Sequence, residues 1–279
     1  MANAIEIGRG YLGRGRRSGE HALRRVSAGG RPLPDFLVIG AQKAGTTSLL
    51  EYLCQHPAVR PPVRKEVHFL DHEFGRGPGW YRAHFERRRA GTVTGEATPY
   101  YLFHPLAAGR AAEVVPDARL IVLLRDPIDR AFSQHNHERV LGFETLGFEA
   151  ALAAEAERLA GEEERILTGS GYRSFSHQHH AYLARGRYAG QLEGWLARFD
   201  RGRILVLAAE ELFADPRRIA VEAQQFLGLP LRPPRDVSPR NARSYAPIDP
   251  ALRERLRSEF AADNRRLYEL VGRDFGWDG

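Results

Sequence analysis

The sequence predicts an α/β protein built in three layers, with a central, mostly parallel sheet covered by helices on both faces. Two features carry that prediction. Short, almost wholly apolar runs recur at 35–40 (DFLVIG), 118–124 (ARLIVLL) and 203–207 (RILVL), continuous where a strand with one wet face would alternate. Each is followed by a segment with helical spacing, the pattern of strands joined by crossover helices.

The elements follow in order. Residues 1–32 hold seven arginines against Glu6 and Glu20, +5 of the net charge of +6. A Gly/Arg-rich stretch without hydrophobic periodicity reads as disordered. Residues 1–33 are therefore expected to be a tail and 34–279 one folded domain. Such a tail also suits RNA, a membrane surface or an acidic partner, but the nearly neutral body gives no reason to expect nucleic-acid binding. Strand 35–40 ends in glycine. Helix 46–56 follows, with Leu49, Leu50 and Leu53 on one face and Pro57 as its stop. Strand 118–124 runs into an Asp126-Pro127 turn and a helix over 129–140. The Ala/Glu-rich stretch 143–170 reads as an inserted helix or flap with a solvated acidic face. Strand 203–207 precedes a helix over 216–227. A last amphipathic helix, 249–271, begins at an Asp-Pro cap and ends at Gly272.

No apolar run approaches the roughly 18–20 residues that cross a bilayer, and the first residues lack the apolar centre of a secretory signal. The single Cys54 excludes an internal disulfide and fits a reducing compartment. A cytoplasmic enzyme without a membrane anchor is expected.

The chemistry concentrates where lysine survives. Lys43 and Lys65 are the only lysines in the chain, which otherwise writes arginine. A compact ammonium on a flexible stem does what a planar guanidinium does not. Lys43 lies in Gly40-Ala41-Gln42-Lys43-Ala44-Gly45-Thr46-Thr47, between strand and helix, where backbone N–H groups and the helix dipole hold anions. The glycines have the spacing of a nucleoside-triphosphate P-loop, so a P-loop-like fold is expected. The lysine, however, stands three residues early and Thr46 occupies its usual place. Lys43 thus suits the bridging oxygen of a shorter anhydride, and Thr46 and Thr47 a single 5′-phosphate.

With its His-Pro exit, this segment resembles the 5′-phosphosulfate loop of sulfotransferases that use 3′-phosphoadenosine 5′-phosphosulfate (PAPS), particularly the heparan-sulfate type and its bacterial relatives. The resemblance implies that Gly40, Gln42, Lys43, Ala44, Gly45, Thr46 and Thr47 cradle PAPS. Residues 120–140 (LIVLLRDPIDRAFSQHNHERV) resemble the family's 3′-phosphate motif, implying Arg125 and Ser133 as its ligands, with His137 one turn further along. Asp126 also admits a metal-acid reading, which the adjacent guanidinium disfavours. Residues 64–71 (RKEVHFLD) resemble the block that carries the catalytic base. They imply Glu66 as general base, Lys43 as leaving-group stabiliser and His68 as acceptor-binding or orienting residue; His68 equally suits a packed core position.

Further segments extend the resemblance over roughly 35–277. Gly79-Trp80-Tyr81 matches an acceptor-side motif. Residues 95–100 (GEATPY) match a strand in which Ala97 replaces the family's lysine. Arg243 and Tyr245 match a loop that closes over PAPS, with Asn241 where lysine is usual. His135 and His137, two apart on a helix, make no metal pair, and His177, His179 and His180 lack metal-ligand spacing, so no metal is assigned. The implied reaction moves a sulfuryl group to a hydroxyl or amine of a carbohydrate, glycolipid or secondary-metabolite acceptor. The 143–185 insert, with Phe143, Phe148, Tyr172, Phe175 and its histidines, is expected to shape the acceptor pocket. Two alternatives stay open: a P-loop kinase using ATP and Mg²⁺, and a non-catalytic nucleotide- or glycan-binding module.

Overall fold

The computed structural model describes residues 28–238 and 247–278. Its centre is a five-stranded sheet: β1 (Phe36–Gly40), β2 (Val59–Arg60), β3 (Val93–Ala97), β4 (Arg119–Leu124) and β5 (Ile204–Ala208), in spatial order β2-β3-β1-β4-β5. Every pairing is parallel. β1 is buried along its whole length, and β4 from Leu120 onward, as a sheet with both faces covered requires.

Helices cover it. α1 (Thr46–Cys54) follows β1; α2 (Gly77–Arg82) and α3 (Ala107–Val114) flank β3; α4 (Pro127–Leu141) follows β4. The expected boundaries shift by one or two residues. α4 starts two residues early, at Pro127, because Asp126 is its N-cap, accepting from the Ile128 and Asp129 N–H groups.

The 143–170 stretch is not one helix but three short ones, α5 (Phe148–Ala153), α6 (Glu155–Leu159) and α7 (Glu162–Thr168), with α8 (Phe175–His179) after them. Gly161 in a left-handed conformation separates α6 from α7. Two of its acids also depart from the expected solvated face. Glu144 and Glu155 are buried. Glu155 accepts from the Leu183 and Ala184 N–H groups at 2.7 and 2.8 Å. Glu144 pairs with Arg158 at 2.6 Å and accepts from the Tyr182 hydroxyl. Buried carboxylates require such donors; here they pin the insert to the chain entering α9 (Tyr188–Leu196).

β5 leads into α10 (Ala209–Ala214) and α11 (Pro216–Phe226), and α12 (Pro250–Val271) closes the fold against α4 and α9. Residues 28–33 belong to the folded body: Arg31 donates to the Phe85 carbonyl, Arg82 donates to the Arg31 carbonyl, and Leu33 packs on the core. Residues 1–27 of the expected tail lie outside the described residues. The main core sandwiches the sheet. A second cluster joins Ile128 and Ala131 of α4, Ala151 and Leu152 of α5, Tyr182, and Leu252, Leu256 and Phe260 of α12.

Candidate active site

The loops leaving the C-terminal ends of the strands gather around one cavity of about 630 Å³, the place where parallel α/β sheets bind ligands. The β1–α1 loop contributes Gln42, Lys43 and Gly45, and the first turn of α1 contributes Thr46 and Thr47. Lys43 sits at φ 70°, a conformation that a non-glycine residue holds only under constraint from its surroundings. Gly45 is at φ 90°, and a Cβ there would meet Leu212 Cδ2 at 2.9 Å. No side chain caps α1 where Thr46 and Thr47 line the cavity.

α4 forms a second wall. Arg125, just before it, donates to the Lys43 carbonyl at 3.1 Å and lies over the Phe213 ring. Ser133 and His137, four apart on one helix face, both line the cavity.

The third wall follows β2. The Lys65 ammonium lies 2.5 Å from Glu66 Oε1, and His68 Nε2 lies 3.4 Å from Glu66 Oε2. His68 Nδ1 donates to Asp71 Oδ2 at 2.7 Å. This strap is anchored from behind by Glu96 of β3. The wholly buried Glu96 carboxylate accepts from the hydroxyls of Tyr81 and Tyr101 (2.7 and 2.8 Å) and Thr98 (2.5 Å), and from the Val67 N–H (3.1 Å).

This arrangement has relatives. A sulfotransferase-domain family model matches residues 33–245.

The chain belongs to the PAPS-dependent sulfotransferase family.

Its heparan-sulfate-type character comes from curated relatives. Mouse heparan sulfate glucosamine 3-O-sulfotransferase 3A1 is 31% identical, over 91% of this chain and 67% of its own length. Mouse heparan sulfate glucosamine 3-O-sulfotransferase 6 is 30% identical, over 90% of this chain and 75% of its own. A solved sulfotransferase from Alicyclobacillus acidocaldarius superposes with a TM-score of 0.75 at 33% identity, covering 89% of this chain and all of that one.

In this sulfotransferase the cavity takes in Lys43, Glu66, His68, His137, Gln42, Gly45, Thr46, Thr47, Arg125 and Ser133. Of the other residues expected there, Gly40 ends β1 and Ala44 is buried beneath the loop. Arg243 and Tyr245 lie outside the described residues.

Electrostatics divides the third wall. Burial alone would raise the Glu66 carboxyl, but the hydrogen bond from His68 and the charge of Lys65 prevail and lower it to about 2. Burial would likewise strip His68 of its proton; its bonds to Asp71 and Glu66 prevail and raise it to about 10. At neutral pH the resting site thus holds a carboxylate between two cations.

His68, Asp71 and His72 form a group whose ligating atoms lie within 4.8 Å of one another. Within it His68 Nδ1 bonds Asp71 Oδ2 at 2.7 Å, and His72 Nε2 bonds Gln178 Oε1 at 3.0 Å. His177 bonds the Tyr100 hydroxyl at 2.7 Å and stacks on Phe103, and burial lowers it to about 3. Asp126 spends its carboxylate on capping α4.

Two expectations need correction. Tyr81 is buried beneath the site as a donor to Glu96, and Trp80 stacks on Phe69 and meets His84 edge to face; neither lines the cavity. Phe148 packs in the second cluster, and Tyr172 is engaged by Glu162 and Arg165. A further cation at the cavity is Arg185. Its buried guanidinium lines the cavity, lies over Tyr100 and donates to Gln42 and to the His177 and Gln178 carbonyls. Arg185, Gln178, Tyr52, Leu212, Phe213 and Val237 escaped the sequence reading because folding, not spacing, brings them here.

Proposed function

We propose that this enzyme transfers the sulfuryl group of PAPS to a hydroxyl or amine of a carbohydrate, glycolipid or secondary-metabolite acceptor by in-line displacement, with Glu66 as general base. The observation that carries the reading is that Glu66, Lys43, Arg125 and Ser133 all line one cavity. Lys43, the α1 N-terminus, Thr46 and Thr47 take the 5′-phosphate, and Arg125 and Ser133 the 3′-phosphate, a guanidinium being suited to fork onto phosphate oxygens. The apolar wall of Tyr52, Leu212, Phe213 and Val237 beside Arg125 suits the base of the nucleotide.

In the reaction the acceptor oxygen bonds to sulfur, the bond from sulfur to the 5′-phosphate oxygen breaks, and the acceptor proton passes to Glu66. The products are the sulfate ester and adenosine 3′,5′-bisphosphate (PAP). Lys43 neutralises charge gathering on the departing oxygen. A carboxylate held near 2 is a weak base, so proton transfer comes late, once bonding to sulfur has acidified the hydroxyl. His68, fixed by Asp71, orients Glu66. Lys43, Arg125 and the helix dipole supply the positive charge, so the reading needs no metal. A cytoplasmic setting is part of it, in keeping with the single cysteine, Cys54, of the sequence.

Thermal stabilisation by PAP, by ADP (both with EDTA) and by ATP with Mg²⁺ tests the co-substrate. Stabilisation by PAP but not ADP is expected; at a hundred times its Kd a ligand adds about 2.7 kcal/mol. Stabilisation by ATP with Mg²⁺ alone would replace this reading with the kinase. Glu66→Gln tests the base: turnover is expected to vanish while the PAP shift persists, and a variant that still turns over removes Glu66 from the role.

A further inference from the structure

We propose that Val140, Leu141, Phe143 and Phe175 form a platform for an alkyl chain carried by the acceptor, which makes the acceptor lipid-linked; this rests on the cavity being the sulfuryl-transfer site. Among the described residues seven large apolar side chains are exposed, and four of them are these. Val140, at 62%, and Leu141, at 47%, end α4. Phe143, at 42%, follows Gly142, and Phe175, at 49%, opens α8. Concentrated exposure of this kind marks a binding surface, whereas single exposed side chains do not.

The platform is built, not incidental. The Phe143 and Phe175 rings meet edge to face at 5.3 Å. His180 Nε2 bonds the Phe143 carbonyl at 3.0 Å, tying the loop after α4 to the end of α8.

Its occupant follows from what it adjoins. The His179 ring contacts both phenylalanines, at 4.8 and 4.6 Å between centroids, and His179 also lines the catalytic cavity. Glu138 holds that ring in place, 3.0 Å from His179 Nδ1. Along α4, His137 on the cavity wall precedes Leu141 by four residues, about 6 Å of helix rise. A molecule that puts its hydroxyl at Glu66 and leaves the cavity past His179 therefore meets an apolar surface. A polar saccharide finds few partners there, whereas an alkyl chain loses its contact with water. Phe143 and Phe175 thus act on the acceptor, while Phe148 and Tyr172 of the same insert are turned to other contacts.

The test is calorimetric titration of the PAP-saturated full chain with maltose, octyl maltoside and dodecyl maltoside, each below its micelle concentration. Each fully buried methylene tightens binding roughly fourfold. With the chain covered on one side, dodecyl maltoside is expected to bind at least tenfold more tightly than octyl maltoside. The Phe143→Ser/Phe175→Ser double variant is expected to lose that gain while its PAP-induced thermal shift stays unchanged. Equal affinities for the two detergents, or a gain that survives the double substitution, would overturn the platform. So would a change in sedimentation of the double variant without any chain-length effect, which would make the surface a contact between copies of the chain. Failure of PAP to stabilise the protein would instead overturn the sulfuryl-transfer reading, and the same titration without PAP would still decide the platform.

Discussion

Glu66 is flanked by Lys65 at 2.5 Å and His68 at 3.4 Å, and the two cations fix the pH at which it can act. The carboxyl lies at about 2 with His68 protonated. Removing the imidazolium removes the larger of the forces holding it down, so Glu66 rises toward its ordinary value. In His68→Gln the acid limb of kcat/KM is expected at higher pH than in the wild type; an unmoved limb would dissociate His68 from the base. The same variant reads out in stability. A histidine raised to about 10 in the fold contributes stability that is complete below its unfolded value near 6.5 and is lost as pH rises through 10. The wild-type Tm is therefore expected to fall between pH 7 and 10 more than that of His68→Gln. Glu96 acts one layer deeper. Four donors converge on its two oxygens, and an amide in its place turns an N–H₂ toward donors. Glu96→Gln is expected to cost about 1–3 kcal/mol of stability. It is also expected to lower kcat severalfold with PAP affinity intact, because only the strap bearing Glu66 moves. Equal losses in kcat and PAP affinity would mark a general loosening.

At the scale of elements, the β1–α1 unit was legible because its chemistry is contiguous. Strand, glycines, lysine and threonines occupy 36–47 without a gap. α4 was legible for the same reason. Elements whose identity depends on distant partners were not. β2 is two residues long and exists only through its pairing with β3. The insert's carboxylates read as a wet face, because nothing local shows that Glu155 meets the N–H groups of residues 183 and 184. Gly45 shows what contiguity conceals. Its glycine is required by the loop's φ of 90° and also by Leu212 and Phe213, which press on it from α10. Gly45→Ala therefore meets both strain and a clash. PAP affinity is expected to fall at least tenfold, and Tm with it; wild-type affinity in isothermal titration would show that the loop adapts freely.

Across the whole molecule, α12 links the site to the rest of the fold. Ion pairs run from it to α9 (Arg266–Glu193, Arg187–Glu259) and to the start of α4 (Arg253–Asp129), but all are partly exposed and such pairs contribute little. The burial of Phe260 decides the matter. It is fully buried in the second cluster with Ile128 and Ala131 of α4, the helix that presents Ser133 and His137. Leu267, near the other end of α12, is equally buried but belongs to the main core. Phe260→Ala is expected to cost about 3–5 kcal/mol and Leu267→Ala about 2–5 kcal/mol, measured by urea denaturation with unchanged m-values. Their effects on the folded enzyme should separate. Phe260→Ala frees α4 to shift and weakens PAP binding, whereas Leu267→Ala lowers stability and leaves PAP affinity at the wild-type value. If both substitutions weaken PAP equally, the second cluster is not what holds α4 in register with the β1–α1 loop, and the two cores act as one cooperative unit.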